Sequence, residues 1–150
     1  MDSYIEPEFE SIRQAIDASG AVYSSDLLRR YHLSLKTRRF VILCGGSGSG
    51  KTLLTRMYSN AVDAQYRLVA VAPNWTTNED LLGYYNPLSK QYYDTDFSLF
   101  LRQAARAYES AINVGKEPQP FHLVLDEMNL ARVEYYFAKF LSGMEVLTSF

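Results

Sequence analysis

The segment Gly45-Gly46-Ser47-Gly48-Ser49-Gly50-Lys51-Thr52 constrains this chain more than any other, because it meets the pattern G-x-x-x-x-G-K-[ST] at every fixed position and directly follows an apolar run, Phe40 to Cys44. Glycines let successive backbone N–H groups turn inward around a polyphosphate, and a following helix adds the positive end of its dipole. A strand, a tight loop and a helix are therefore expected in that order, with phosphate held at the loop by Gly45, Gly46, Ser47, Gly48, Ser49, Gly50, Lys51 and Thr52. Lys51 is expected to reach the β- and γ-phosphates, and the Thr52 hydroxyl to bind Mg2+. The other reading, a Gly/Ser linker, is opposed by the apolar sequence before the loop and by Lys-Thr-Leu-Leu-Thr-Arg-Met after it.

With 150 residues, 47% hydrophobic and 21% charged, the chain amounts to one domain with a real core. A net charge of −2 gives no global footprint for nucleic acid and leaves only a local basic patch open. Cys44 is the sole cysteine, so neither a disulfide framework nor a cysteine metal site is expected; a small buried hydrophobe at a strand end, in a reducing cytoplasm, fits best. No apolar stretch approaches the roughly 20 residues that span a bilayer, and the start, Met1 to Glu6, is acidic, so neither membrane insertion nor secretion is expected. His32 and His122 each lack a partner at metal-ligand spacing and read as structural.

Apolar residues at Phe9, Ile12, Ala15 and Ile16 recur at helical spacing and stop at Ser19-Gly20, while Ser24-Ser25-Asp26 is placed to cap a second helix through Leu27, Leu28, Tyr31 and Leu33. Phe40 to Cys44 reads as a strand, residues 51–61 as a helix, and residues 66–72 as a second strand. That alternation predicts a parallel sheet with helices on its faces. Residues 73–96 form a long connection rich in turn formers, in which Asn86-Pro87-Leu88-Ser89-Lys90 is suited to turn a hairpin between Tyr84-Tyr85 and Tyr92-Tyr93. Helical spacing returns over 96–112, an apolar strand follows at Phe121 to Leu125, and a last helix is expected over 131–142 with Gly143 near its stop.

That apolar strand ends in Asp126-Glu127, downstream of the glycine loop, which is a Walker B arrangement. Asp126 is expected to hold the Mg2+ shell through water, and Glu127 to polarise the water that attacks the γ-phosphate. A carboxylate beside the Mg2+ ligand favours water as the nucleophile over a bound phosphate acceptor, hence hydrolysis over kinase chemistry.

Three segments resemble the McrB-like branch of the AAA+ ATPases and, more distantly, MoxR proteins and dynein motor modules: residues 40–52; Pro73-Asn74-Trp75-Thr76 with residues 80–87; and Leu125-Asp126-Glu127-Met128-Asn129-Leu130-Ala131-Arg132 through Phe137. The resemblance implies an α/β P-loop NTPase fold, a parallel AAA+ sheet with flanking helices. It places a helical segment, 1–35, before the core at 36–150. It also implies a ring-forming, Mg2+-dependent hydrolase of ATP or GTP, hexameric when complete, that couples hydrolysis to remodelling or translocation in a DNA restriction or remodelling system, with an McrC-like nuclease subunit as a partner in the restriction case and DNA met indirectly. Carried over by position, Asn129 would orient the water or a neighbouring protomer's groups, and residues 84–90 would lie in an insert facing the ring pore.

Each softer assignment has a structural counterpart. Asn129 is equally suited to cap a helix, the tyrosines to pack beneath their long loop, Arg132 to pair with Glu134 or another acid, and Arg29, Arg30, Lys36, Arg38 and Arg39 to form a solvated face. The family module continues beyond Walker B into a sensor strand, an arginine finger and a helical lid, and that sensor strand lies between the P-loop and Walker B strands. The chain given ends at Phe150, before them. It is thus expected to be an incomplete AAA+ module with a gap in its sheet, one that binds nucleotide weakly, if at all, and hydrolyses it negligibly when isolated. Two other functions stay open: a nucleotide-responsive interaction module without turnover, and a P-loop kinase.

Overall fold

A computed structural model describes residues 3–147; Met1 and Asp2 of the acidic start, and residues 148–150, lie outside it. The chain divides into two compact units. The first comprises residues up to Tyr66 together with Ala111–His122, and the second comprises Arg67–Ser110 and the residues from Leu123 onward.

In the first unit, α1 (Phe9–Ala18) buries Ile12 and Ile16, four residues apart on one face, each 1% exposed. Burial of that size contributes about 2 kcal/mol per side chain. On the solvent side Arg13 bridges Glu10 and Asp17, one turn away in either direction. The helix stops at Ser19, and Gly20 turns the chain at φ 84°. Helix α2 (Ser25–Arg38) starts where Ser24 Oγ accepts from Leu27 N at 3.2 Å, the expected cap, and contributes Leu28 and Tyr31 to the same core. Helix α3 (Lys51–Ala61) completes it with Leu54 and Tyr58 at i, i+4 spacing, followed by Val62. Ahead of α1, the Tyr4 hydroxyl donates to Val62 O at 2.7 Å and Glu117 N donates to Ser3 Oγ at 3.1 Å, which ties the start of the described chain to this unit.

Two strands, β1 (Gln65–Ala70) and β4 (Phe121–Asp126), pair with each other. At one end Gln65 N donates to Pro120 O and at the other Val71 N donates to Asp126 O, a constant offset of 55 residues that makes the pair parallel. With helices flanking this two-stranded parallel sheet, the expected α/β P-loop architecture is present in partial form.

Phe40 to Cys44 departs from expectation. The segment is not a strand, because β1 and β4 pair with each other, β2 (Tyr84–Asn86) pairs with β3 (Gln91–Tyr93), and a strand exists only through its ladder. The segment still alternates as an extended chain. Val41 and Leu43 pack on the first core, while Ile42 and Cys44 are exposed. Cys44 is therefore not the buried residue its apolar setting suggests; it falls on the outer side of the alternation.

The second unit holds the hairpin β2–β3, whose turn is the expected Asn86 to Lys90 segment: Asn86 Oδ1 accepts from Leu88 N and Ser89 N, and Lys90 takes φ 53°. A short helix not anticipated from periodicity, α4 (Asn78–Leu82), precedes it and places Leu81 at 0% exposure. Helix α5 (Asp96–Asn113) begins at a reciprocal cap in which Ser98 N donates to Thr95 Oγ1 and Thr95 N to Ser98 Oγ. Its Phe97 joins Val69, Val71, Leu81, Ala131, Tyr136 and Phe137 in the second core.

The single helix expected over 131–142 is broken into α6 (Val133–Tyr136) and α7 (Ala138–Leu147), and Gly143 lies inside α7 instead of ending it. Core packing explains the break. Tyr136 and Phe137 are consecutive yet 0% and 2% exposed, Tyr136 packs edge-on against Trp75, and Phe137 turns toward Phe140. The irregular residue at Phe137 lets both neighbouring rings bury fully.

Candidate functional site

The glycine loop links the extended Phe40 to Cys44 segment to α3 and lies wholly in the first unit. Gly48 and Gly50 take φ of 74° and 82°, in the left-handed region where other residues are strained. Between them the chain doubles back, with Ser49 N donating to Gly46 O at 3.3 Å. Gly50 is the N-cap of α3, and its carbonyl accepts from Leu54 N at 2.8 Å, the first bond of the helix. The opening amides of α3 thus meet the loop without partners from within the helix.

The Lys51 ammonium folds back over this loop. Its Nζ donates to Gly45 O at 2.9 Å and to Gly46 O at 2.7 Å, with Ser49 Oγ at 3.4 Å. Thr52, next along, is half-buried, and its carbonyl accepts from Thr55 Oγ1 at 2.7 Å; that hydroxyl in turn lies 3.0 Å from Tyr66 Oη. One contact has no forewarning in the sequence: the Tyr23 hydroxyl donates to Gly50 O at 2.9 Å. Tyr23 lies in the short connection between α1 and α2, where no spacing or motif marks it.

The acidic residues lie in the second unit. Strand β4 delivers Asp126 as its last residue, and the chain turns sharply at Glu127, an exposed side chain on a backbone at φ 53°, ψ 42°. Glu127 N donates to Asp126 Oδ1 at 3.2 Å. Asn129 sits exposed inside a 3-10 turn, Met128–Leu130, which Tyr136 steadies by donating to Met128 O at 2.7 Å. Asn129 is therefore not a helix N-cap; that position before α6 belongs to Arg132, whose side chain makes no capping bond. Nor does Arg132 take Glu134 as its partner: its guanidinium donates to Tyr135 Oη at 3.2 Å and lies over that ring. The carboxylates of Asp126 and Glu127 and the amide of Asn129 offer hard oxygen donors of the kind Mg2+ prefers. Among the described residues no three His, Cys, Asp or Glu side chains gather as a metal cluster.

The hairpin tyrosines are displayed, not packed beneath their loop. Tyr84, Tyr85, Tyr92 and Tyr93 are all exposed, and the cross-strand pair Tyr84 and Tyr93 stacks with centroids 5.4 Å apart. The basic stretch is largely answered by its own unit: Arg30 pairs with Asp26, Lys36 with Glu6, and Arg29 covers the Phe9 ring. His32 and His122 bond to Tyr58 and Ser59, as structural histidines would. No described helix is long and apolar enough to cross a membrane.

No curated protein and no solved structure gives a significant match to the chain. A family model described as an AAA domain of the dynein-related subfamily matches residues 40–145, which takes in the glycine loop, the hairpin and the Asp126-Glu127 turn. The chain belongs to the dynein-related subfamily of AAA domains.

Proposed function

We propose that this AAA domain binds ATP or GTP at Gly45, Gly46, Ser47, Gly48, Ser49, Gly50, Lys51 and Thr52, and that it belongs to the McrB-like branch, whose rings drive DNA restriction. The observation that supports this best is the Lys51 ammonium, which has loop carbonyls as its partners across two left-handed glycines. Phosphate oxygens entering the loop would take over those bonds, with charge added to each. On this reading Lys51 neutralises the β- and γ-phosphates, Thr52 and Asp126 supply a hydroxyl and a carboxylate to Mg2+, and Glu127 accepts the proton of the attacking water. Asn129 orients that water or a neighbouring protomer's groups. Mg2+ supplies neutralisation of phosphate charge when bound. Residues 1–35 serve as a helical lead into the core at 36–150, and the working form is a cytoplasmic ring, hexameric, with an McrC-like nuclease subunit and DNA reached through it.

The test is equilibrium titration with fluorescent ATP and GTP analogues and Mg2+. Binding that Lys51→Ala abolishes and Glu127→Gln leaves intact, with whatever hydrolysis the parent shows lost in both, is expected; binding indifferent to Lys51→Ala would sink the proposal. A second reading, binding without turnover, draws support from one feature: Phe40 to Cys44, the entry to the loop, is not held in a ladder. Under it, Glu127→Gln changes nothing.

A further inference from the structure

We propose that Tyr23 is a positioning residue for the phosphate loop: its hydroxyl holds the Gly50 carbonyl, and with it the left-handed turn that aims the first amides of α3. The proposal rests on the nucleotide reading above. Three observations meet at one peptide. Gly50 O is shared by two donors, Leu54 N at 2.8 Å from within α3 and Tyr23 Oη at 2.9 Å from outside it. The ring itself packs on Gly50, since a Cβ added there would stand 3.2 Å from Tyr23 Oη and 3.6 Å from Cε1. Tyr23 is in turn anchored, because it packs against the core formed by Ile12, Ile16, Leu28 and Leu54.

The consequence is mechanical. A glycine at φ 82° before a helix has no side chain of its own to fix it, and on α3's side its carbonyl is held by the first-turn helix bond, the kind that frays. The phenol adds a second donor from a different element, so the orientation of the Gly50–Lys51 peptide is set by the connection between α1 and α2 as well as by α3. Any change in that connection reaches the phosphate-facing amides without touching a nucleotide base. Tyr23 would therefore act on affinity for the phosphate chain and be blind to the base.

The experiment compares the full chain with its Tyr23→Phe variant, which keeps the ring and its packing and loses one hydroxyl. Binding of Mg2+-ATP, Mg2+-GTP and Mg2+-tripolyphosphate is measured by calorimetry, and amide hydrogen exchange over residues 50–54 is followed without ligand. Loss of one hydrogen bond predicts about fivefold weaker binding, by the same factor for all three ligands, and faster exchange confined to residues 50–54. Unchanged exchange there, or a loss seen for one nucleotide and not for tripolyphosphate, would overturn the proposal. If Lys51→Ala abolishes binding while Tyr23→Phe binds as the parent does, Tyr23 alone fails. If the parent chain binds none of the three, the phosphate reading fails and this inference with it.

Discussion

Nδ1 of His122 lies 2.7 Å from Oγ of Ser59, a side chain with no exposed surface, while the imidazole stacks on Tyr58. Ser59 Oγ also lies 2.7 Å from Thr55 O and has one proton; when that proton serves the carbonyl, the imidazole must be the donor to Ser59, through Nδ1–H. Burial pushes the His122 pKa from 6.5 down to about 4. Between those values the unfolded chain takes up a proton that the folded chain refuses, so stability is full above the unfolded value and falls as the pH drops toward 4. The effect is about 2 kcal/mol once the ring's partial exposure is allowed for. His32, lowered by burial too, adds in the same direction. Urea denaturation at pH 7 and pH 4.5 is expected to show this loss, and His122→Gln to flatten it; an undiminished pH slope in the variant would exclude His122 as its source.

Gly83 and Gly115 separate two reasons for needing glycine. Both have positive φ, 88° and 68°, but a Cβ at Gly115 meets open space, whereas one at Gly83 would stand 2.1 Å from Tyr93 O, a backbone atom of the hairpin. Gly115→Ala is expected to cost about 1 kcal/mol from conformation alone. Gly83→Ala carries that term plus a clash that only displacement of β3 can relieve, and should cost on the order of 3 kcal/mol or more. Equal losses in urea denaturation would show that the hairpin yields freely.

Elements whose signals are local were legible in the sequence. Residues 51–61 combine helical spacing with a preceding loop that can only open a helix, and the hairpin follows from turn formers set between two tyrosine pairs. What eluded sequence reading depends on distant partners. Phe40 to Cys44 has strand composition, but a ladder is made by a neighbour and not by the segment itself. The break at Phe137 answers to Trp75 and Phe140, and the Tyr23 bond spans 27 residues. Helix α4 did carry a sign, the Thr77-Asn78-Glu79-Asp80 capping pattern, within a stretch too short for periodicity to register. The glycine loop and Asp126-Glu127 were found because their chemistry demands contiguous residues.

Asp80 is the residue through which that short helix is fixed. Its Oδ2 accepts from Thr76 N at 2.7 Å and Thr77 N at 2.9 Å, and these bonds hold its carboxyl below the usual carboxylate range. The contribution is present above the ordinary Asp value and is lost as the pH falls through the lower folded one. Asp80→Ala is expected to cost about 1 kcal/mol at pH 7, and Asp80→Asn, which keeps an acceptor oxygen, much less. Thermal melts of the two variants at pH 7 check this; identical losses would assign the effect to charge and not to the cap.

Glu127 unites a strained backbone with an exposed side chain, so its stability and activity effects should separate. A non-glycine residue at φ 53° costs about 1–2 kcal/mol, and glycine there gives back about 0.5–1 kcal/mol as chain entropy. Glu127→Gly is therefore expected to stabilise the protein by about 0.5 kcal/mol, while Glu127→Gln, which keeps the same backbone, leaves stability unchanged. If Glu127 activates water as proposed, both variants retain nucleotide binding and both lose hydrolysis, so the more stable protein is inactive. Denaturation and turnover measured on the same preparations decide the matter. A Glu127→Gly variant that is less stable than its parent would show that the side chain supports the turn, and one that still hydrolyses nucleotide would remove the carboxylate from the mechanism.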